Sequence, residues 1–233
     1  MSNISQLSNY DAVMAELDRW VKAHGNGKYS PADYQPLGKL DLYPDYGIQQ
    51  VREEIADFVK EILKRNLSGT ILEIGIGYYG STHVLWRQIF NRVITIEKSP
   101  DRCRNFAINY SKFYNGAWPT SDGKSSFIFG LSSDPTAVNK ALEAIKRQAD
   151  VLFIDGDHSY QAVQSDWLLY HNLVRQGGIV AFHDCATDNP EQSGAPKFLA
   201  KLEKSEIDGK TYQVHRIIHS QHIGIAFYEN LSY

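Results

Sequence analysis

The chain has 233 residues, 42% of them hydrophobic and 22% charged, with a formal net charge of −3. That length and balance suit one α/β domain with a substantial core and a terminal extension. No block of Lys and Arg offers a nucleic-acid face, and no apolar run reaches the roughly 18 residues that span a bilayer. Residues 1–20 lack the basic-then-apolar order of a secretion signal, so a cytoplasmic protein is expected. Cys103 and Cys185 are far apart and outside any CxxC spacing, and read as reduced thiols.

In chain order, residues 10–23 read as a short amphipathic helix with Val13, Leu17, Trp20 and Val21 on one face. Residues 23–47 are punctuated by Gly25, Gly27, Pro31, Pro36, Gly38, Pro44 and Gly47, which makes them a linker or a lid. Tyr43 and Tyr46 flank Pro44 there, and the segment suits either closure over a cleft or an interface. A strong helix is expected at 48–66, its stripe made of Val51, Ile55, Phe58, Val59 and Ile62. From residue 70, short apolar runs alternate with helical stretches: 70–74, 93–97, 126–130, 151–155 and 178–183. Ser99-Pro100 and Asp134-Pro135 are cap-and-first-turn pairs for two of the helices. A further helix sets Tyr160, Val163, Trp167, Tyr170 and Val174 on one side. Continuous apolar strands alternating with helices predict a parallel sheet covered on both faces. Residues 212–230 instead read as two strands joined by a short turn near Ser220-Gln221, an antiparallel hairpin at the sheet edge. The expected fold class is a Rossmann-like α/β sheet of seven strands, mostly parallel, with helices on both faces.

The stretch "ILEIGIGYYGST" places Gly75, Gly77 and Gly80 directly after the first strand. Glycines there permit a sharp turn and close approach of a ligand. Glu97 ends the next strand, where a carboxylate can accept from the vicinal hydroxyls of a ribose. A nucleoside-containing cofactor follows. Glu73, expected beside the loop, favours a ligand bearing an amine or a cation over a pyrophosphate. Tyr78 and Tyr79 and the antiparallel tail point away from a dinucleotide in the same way.

A second feature is "VLFIDGDHSY" at 151–160, where buried-type residues give way to Asp155, Asp157 and His158. Buried charge must be paired or bound. Asp155 ends the fourth strand of the parallel run, while His183 and Asp184 end the fifth. Neighbouring strand ends bring those three to one point, as ligands for a divalent metal. An imidazole in the set favours Mn²⁺, Fe²⁺ or Zn²⁺ relative to Mg²⁺, or else His183 stands behind the ligands. Asp157 either orients His158 or contacts the cofactor. His24, His83, His171, His215, His219 and His222 read as surface or packing residues. Residues 188–194 form a second lid.

These motifs ("EIGIG", Glu97, "FIDGDHSY", "GGIVAFHD" and the final hairpin) resemble class I S-adenosylmethionine-dependent methyltransferases over residues 48–230. The run from Phe153 to Asp184 is similar to a metal-dependent O-methyltransferase group that includes macrolide sugar O-methyltransferases and cephalosporin-hydroxylase-like proteins. The resemblance implies S-adenosylmethionine as cofactor, with Glu73, Gly75 and Gly77 at its methionine end, Glu97 at the ribose and Ser132, within "GLSS" at 130–133, by the adenine. It places Asp155 beside the cofactor as well as on a metal, Mg²⁺ or Mn²⁺, and makes His158 the general base. In the resembling sugar enzymes the position of His183 is an acid. The expected domains are residues 1–47, a helix with a lid or linker, and 48–233, the methyltransferase domain. The expected partner is a small-molecule acceptor, a sugar or natural product, with no nucleic acid or membrane and with exposed aromatics suited to a homodimer. Rival readings are a metal-free methyltransferase acting on N or O, an NAD-dependent oxidoreductase, and a binding partner without turnover.

Overall fold

A computed structural model describes residues 3–24, 27–30, 48–146, 148–186 and 194–231. Seven strands form one sheet: β1 (Thr70–Ile74), β2 (Arg92–Glu97), β3 (Ser125–Phe129), β4 (Ala149–Ile154), β5 (Val174–His183), β6 (His215–Ile217) and β7 (Ile225–Glu229). Their spatial order is β3-β2-β1-β4-β5-β7-β6. β1 to β5 pair in parallel, and β7 runs antiparallel between β5 and β6. The helices are α1 (Asn3–Ala23), α2 (Arg52–Lys64), α3 (Ser81–Ile89), α4 (Pro100–Phe113), α5 (Pro135–Ile145), α6 (Tyr160–Tyr170) and α7 (Ala195–Glu203).

The alternation of side chains along each central strand explains the two covered faces. Ile71, Val151, Phe153, Ile179 and Ala181 pack with α1, α2 and α3. Leu72, Ile74, Leu152, Ile154, Val180 and Phe182 pack with α5, α6 and α7. Glu73 has the parity of Ile71 and so enters the α1–α3 side. The caps act as the sequence suggests: Ser99 accepts from Arg102 N, Asp134 from Thr136 N and Ser159 from Ala162 N.

Some boundaries depart from expectation. Val174 does not extend α6. The helix ends at Tyr170, a 3₁₀ turn covers His171–Leu173, and Val174 opens β5 by pairing with Ala149. A register shift between Ala149 and Val151 accommodates Gly177 and Gly178 within the strand. Gly178 is required there, because a Cβ would lie 2.6 Å from the Asp150 carbonyl oxygen. The terminal hairpin has a loop over 218–224 instead of a tight turn. Glu54 of α2 explains its length: the carboxylate accepts from His219 N, Ser220 Oγ and Gly224 N, each at 2.8 Å. Helix α7 had no counterpart in the sequence reading.

Helix α1 is part of the same body. Val13, Met14, Leu17 and Val21 join the core with α2 and α3, while Trp20 packs with Phe106 and Tyr110 of α4. Arg52 grips Asp18 at 2.7 Å, and Ser30 N donates to Gln50 O at 3.0 Å. Residues 31–47, with Tyr43 and Tyr46, and residues 187–193 lie outside the described residues, so both expected lids fall there almost entirely. Among the described residues no helix is long and apolar enough to cross a membrane.

Candidate active site

Gly75, Gly77 and Gly80 have φ of +89°, +65° and +61°, the left-handed region that favours glycine. Gly75 also admits a close approach: a Cβ there would lie 2.2 Å from the Asp155 carbonyl oxygen. The glycine loop and the end of β4 are therefore in contact. Around Gly77 a Cβ would meet nothing within 4 Å, so the loop opens there. Glu97 is buried and joins the loop to α4, accepting from Ile76 N at 3.0 Å and Ser99 N at 2.8 Å.

The expected placement of Glu73 is corrected by the structure. Its side chain is fully buried beneath the loop instead of lining it. One carboxylate oxygen accepts from Thr82 Oγ1 at 2.6 Å and Trp86 Nε1 at 3.1 Å. The other accepts from Thr95 Oγ1 at 2.7 Å and lies 3.3 Å from His83 Nδ1. Its strand parity points it at α3, so it braces the loop from below. With both oxygens engaged inside the protein, Glu73 offers no carboxylate to an amine-bearing ligand.

Ile154 and Phe182 pair across β4 and β5, so the next residues, Asp155 and His183, come side by side. His183 Nδ1 lies 3.0 Å from Asp155 Oδ1 and 3.3 Å from Asp184 Oδ1. Asp184 has φ of +56°, in the left-handed region that Asp enters more readily than most non-glycine residues. His158, just ahead of α6, completes the group: Nδ1 is 2.6 Å from Asp184 Oδ2 and Nε2 is 3.6 Å from Asp155 Oδ1. Asp184 raises the His158 imidazole well above its usual range. Burial opposes charge on His183, but Asp155 and Asp184 outweigh it and bring the ring up to about 9. The two imidazoles likewise hold Asp184 down to about 2 against its burial.

Asp155, His158 and Asp184 each offer one ligand atom, all within 4.8 Å of one another. Two carboxylates and one imidazole suit a divalent cation. Of the expected set, Asp155 and Asp184 do meet; the imidazole that closes the triangle is His158. His183 lies deeper, its side chain 2% exposed and neither ring nitrogen in an aligned hydrogen bond. Asp157 accepts from Ser159 N at 2.9 Å, shaping the turn into α6. Ser132 follows β3, and its carbonyl accepts from Tyr170 Oη. His83 is buried in the Glu73 network, with Ser125 Oγ 2.8 Å from Nε2.

Three polar roles lie beyond what the sequence indicates, the first at a tryptophan expected only on an apolar helix face. Trp20 donates from Nε1 to the Tyr79 carbonyl at 3.2 Å, Glu54 anchors the 218–224 loop, and Asp166 is a buried carboxylate on α6. The legible signal for the last two is an acid on an apolar stripe: Glu54 beside Val51, Ile55 and Phe58, and Asp166 beside Val163 and Tyr170.

An α/β sheet in this order, with a glycine loop after β1 and acids at the ends of β4 and β5, has the class I methyltransferase fold. Residues 72–185 match the family described as "Methyltransferase domain". An O-methyltransferase from Bacillus cereus, solved with S-adenosylhomocysteine, is similar with a TM-score of 0.56 and 15% identity over 93% of this chain and 91% of that one. TomG, an O-methyltransferase of Streptomyces achromogenes involved in tomaymycin synthesis, solved with S-adenosylmethionine, gives 0.58 and 16% over 93% and 90%. MycE, a methyltransferase of the mycinamycin biosynthetic pathway solved with Mg²⁺, S-adenosylhomocysteine and mycinamycin VI, gives 0.52 and 18% over 74% of this chain. The chain covers 48% of MycE. An uncharacterised protein of Acanthamoeba polyphaga mimivirus is 44% identical over 48 residues, which is 21% of this chain and 22% of that protein.

Proposed function

We propose that the protein methylates a hydroxyl of a small molecule, a sugar or natural product, from S-adenosylmethionine, with a divalent cation held by Asp155 and Asp184. The observation that carries this reading is the contact between the glycine loop and the acid–imidazole cluster, made at Gly75 and Asp155. It sets a nucleoside-type loop against a group able to manage a proton and a charge. S-adenosylmethionine, when bound, supplies a methyl group on a sulfonium. Gly75 and Gly77 would give its methionine end room, Glu97 would accept from the ribose hydroxyls, and Ser132 would face the nucleobase. Glu73 serves the same end indirectly, by holding α3 and β2 beneath the loop.

A hydroxyl is a poor nucleophile until its proton leaves, and a positioned base contributes on the order of 10²–10⁴-fold. Asp184 holds Nδ1 of His158, which leaves Nε2 to take that proton. The two carboxylates, however, keep His158 charged, and an imidazolium accepts no proton. Its basic role thus calls for neutralised carboxylates, and this favours a cation at the site. A divalent cation, when bound, supplies that neutralising charge and lowers the pKa of an acceptor hydroxyl. Asp155 and Asp184 would hold it, with His183 behind them.

The test is release of S-adenosylhomocysteine from S-adenosylmethionine over a panel of macrolide glycosides, methyl glycosides and phenolic natural products, with and without EDTA. Turnover that EDTA abolishes and Mn²⁺ or Mg²⁺ restores supports the proposal. Turnover indifferent to EDTA moves the reading to the metal-free enzyme. Cofactor affinity with no turnover on any acceptor favours a binding partner, and NADH affinity without S-adenosylhomocysteine affinity favours the oxidoreductase.

A further inference from the structure

Helix α4 has two unlike faces. Cys103, Phe106 and Tyr110 are buried and pack with Trp20, Ile76 and Val84. Asn105, Asn109 and Lys112, spaced i, i+4 and i+7, share the opposite face. That face and the glycine loop enclose an open cleft of about 380 Å³, with Tyr78 and Tyr79 on one side and Asn105, Ile108, Asn109 and Lys112 on the other. Its volume falls within the roughly 300–1,000 Å³ of small-molecule sites, and aromatic walls with a few polar groups are typical of them. Neither Gly75, Gly77, Glu97 nor Ser132 lines the cleft, and neither does any member of the acid–imidazole cluster. It is therefore a second site, outside the crevice assigned to the cofactor.

A merely solvated helix face does not account for these residues. Asn is a weak helix former, and here two of them stand one turn apart in the interior of α4, both facing the cleft. Among the described residues neither carboxamide, nor the Lys112 ammonium, spends its hydrogen-bonding capacity inside the protein. Each carboxamide carries two donor hydrogens and an acceptor oxygen, so the pair suits adjacent hydroxyls, which both donate and accept. Among the lining residues there is a lysine and no carboxylate, so the cleft disfavours a ligand bearing an amine. The tyrosines add flat apolar surface for the C–H face of a saturated ring. Arg102 steadies Tyr78 with its guanidinium 4.7 Å from the ring centre, and Tyr78 is still 45% exposed.

We propose that the cleft between α4 and the glycine loop is a carbohydrate site, which takes a neutral pyranose ring against the tyrosines while Asn105 and Asn109 hydrogen-bond two of its adjacent hydroxyls. A sugar in this cleft is held and not methylated, because His158 and the two carboxylates lie outside it. Binding there calls for neither cofactor nor cation, so the proposal stands apart from the methyl-transfer reading.

The test is a nuclear magnetic resonance titration of the ¹⁵N-labelled full-length protein with methyl glucopyranoside, methyl mannopyranoside and methyl galactopyranoside, in EDTA and without S-adenosylmethionine. The side-chain amide signals of Asn105 and Asn109 are identified by their loss in Asn105→Ala and Asn109→Ala. At least one glycoside is expected to shift both signals, with a dissociation constant on the order of millimolar for a single ring. Each Asn→Ala variant should weaken that binding by roughly 2- to 10-fold, the worth of one hydrogen bond, and the double variant by more than either. Alanine is the better helix former, so these variants keep the fold. Cyclohexylamine, a cation of similar ring size, should leave both signals in place. Three glycosides that move neither signal, affinity that the double variant retains in full, or an amine bound as tightly as the sugars overturns the proposal. None of these results bears on methyl transfer, which S-adenosylhomocysteine affinity and turnover test by themselves.

Discussion

The indole N–H of Trp20 donates to the carbonyl oxygen of Tyr79 across 3.2 Å, tying the N-terminal helix to the glycine loop two residues beyond Gly77. Trp20 is fully buried, packed on Phe106 and Phe113 of α4 and stacked on His24. Helix α1 therefore bears on the shape of the loop that would hold the cofactor. Trp20→Phe retains most of the packing and loses the hydrogen bond. It should weaken S-adenosylhomocysteine binding by roughly 2- to 10-fold, the worth of one such bond, with a small loss of stability. Trp20→Ala should cost about 3–5 kcal/mol of folding free energy. Calorimetry and urea unfolding separate the two effects, and undiminished affinity in the Phe variant would show that the tether does not shape the loop.

Glu73 makes a second case for support from beneath. Both of its oxygens are engaged by Thr82, Trp86 and Thr95, with His83 alongside. Glu73→Gln replaces one acceptor oxygen by a donor facing donors, and should cost about 2–4 kcal/mol in urea unfolding. Thr82→Val, which removes a single bond, should cost about 1 kcal/mol. A Glu73→Gln protein with native stability and lost cofactor affinity would restore the direct ligand role that its burial argues against.

The pattern of short apolar runs carried the fold because each central strand is buried on both faces, which leaves little room for other readings of "VLFI" or "GIVAF". The same pattern hid what Glu73 does. A strand's parity decides which face a side chain enters, and position 73 shares its face with Ile71 and Phe153. The acid cluster was legible at Asp155 and Asp184 because strand order makes those ends neighbours. That His158, ahead of α6, and not His183 closes the triangle depends on how the loop folds back, which no spacing specifies. Glu54, Trp20 and Asp166 sit on apolar helical stripes, and their polar partners are 59 or more residues away for the first two. Contacts of that range leave no trace in local sequence.

The imidazole–carboxylate cluster makes stability depend on pH in a definite sense. His183 is raised from 6.5 to about 9, so its contribution is complete below 6.5 and is lost as pH rises through about 9. His158 is raised as well, chiefly by Asp184, and acts in the same direction. Asp184 is lowered from 3.8 to about 2, so its contribution is complete above 3.8 and is lost as pH falls through about 2. The cluster therefore stabilises the chelator-treated protein fully between roughly pH 4 and 6.5. The stability difference between wild type and His183→Gln, taken from urea unfolding in EDTA, should be larger at pH 5.5 than at pH 9.5. A difference that grows with pH would mean that His183 is neutral in the native state.

Asp155 tests whether the metal and cofactor sites are separable. Its contact with the glycine loop is made by its carbonyl oxygen, against Gly75, while its side chain faces His183 and His158. Exchanging the carboxylate for an amide leaves the first contact and removes a charged ligand from the second. Asp155→Asn should weaken Mn²⁺ binding, followed by electron paramagnetic resonance, by roughly 100-fold, because an anionic ligand becomes neutral. S-adenosylhomocysteine affinity should stay within about threefold, since the loop keeps its main-chain support. Turnover on any acceptor found for the wild type should disappear. Were S-adenosylhomocysteine affinity to collapse together with Mn²⁺ binding, the carboxylate would belong to the cofactor pocket, and the cation would have to be sought around Asp184 and His158 alone.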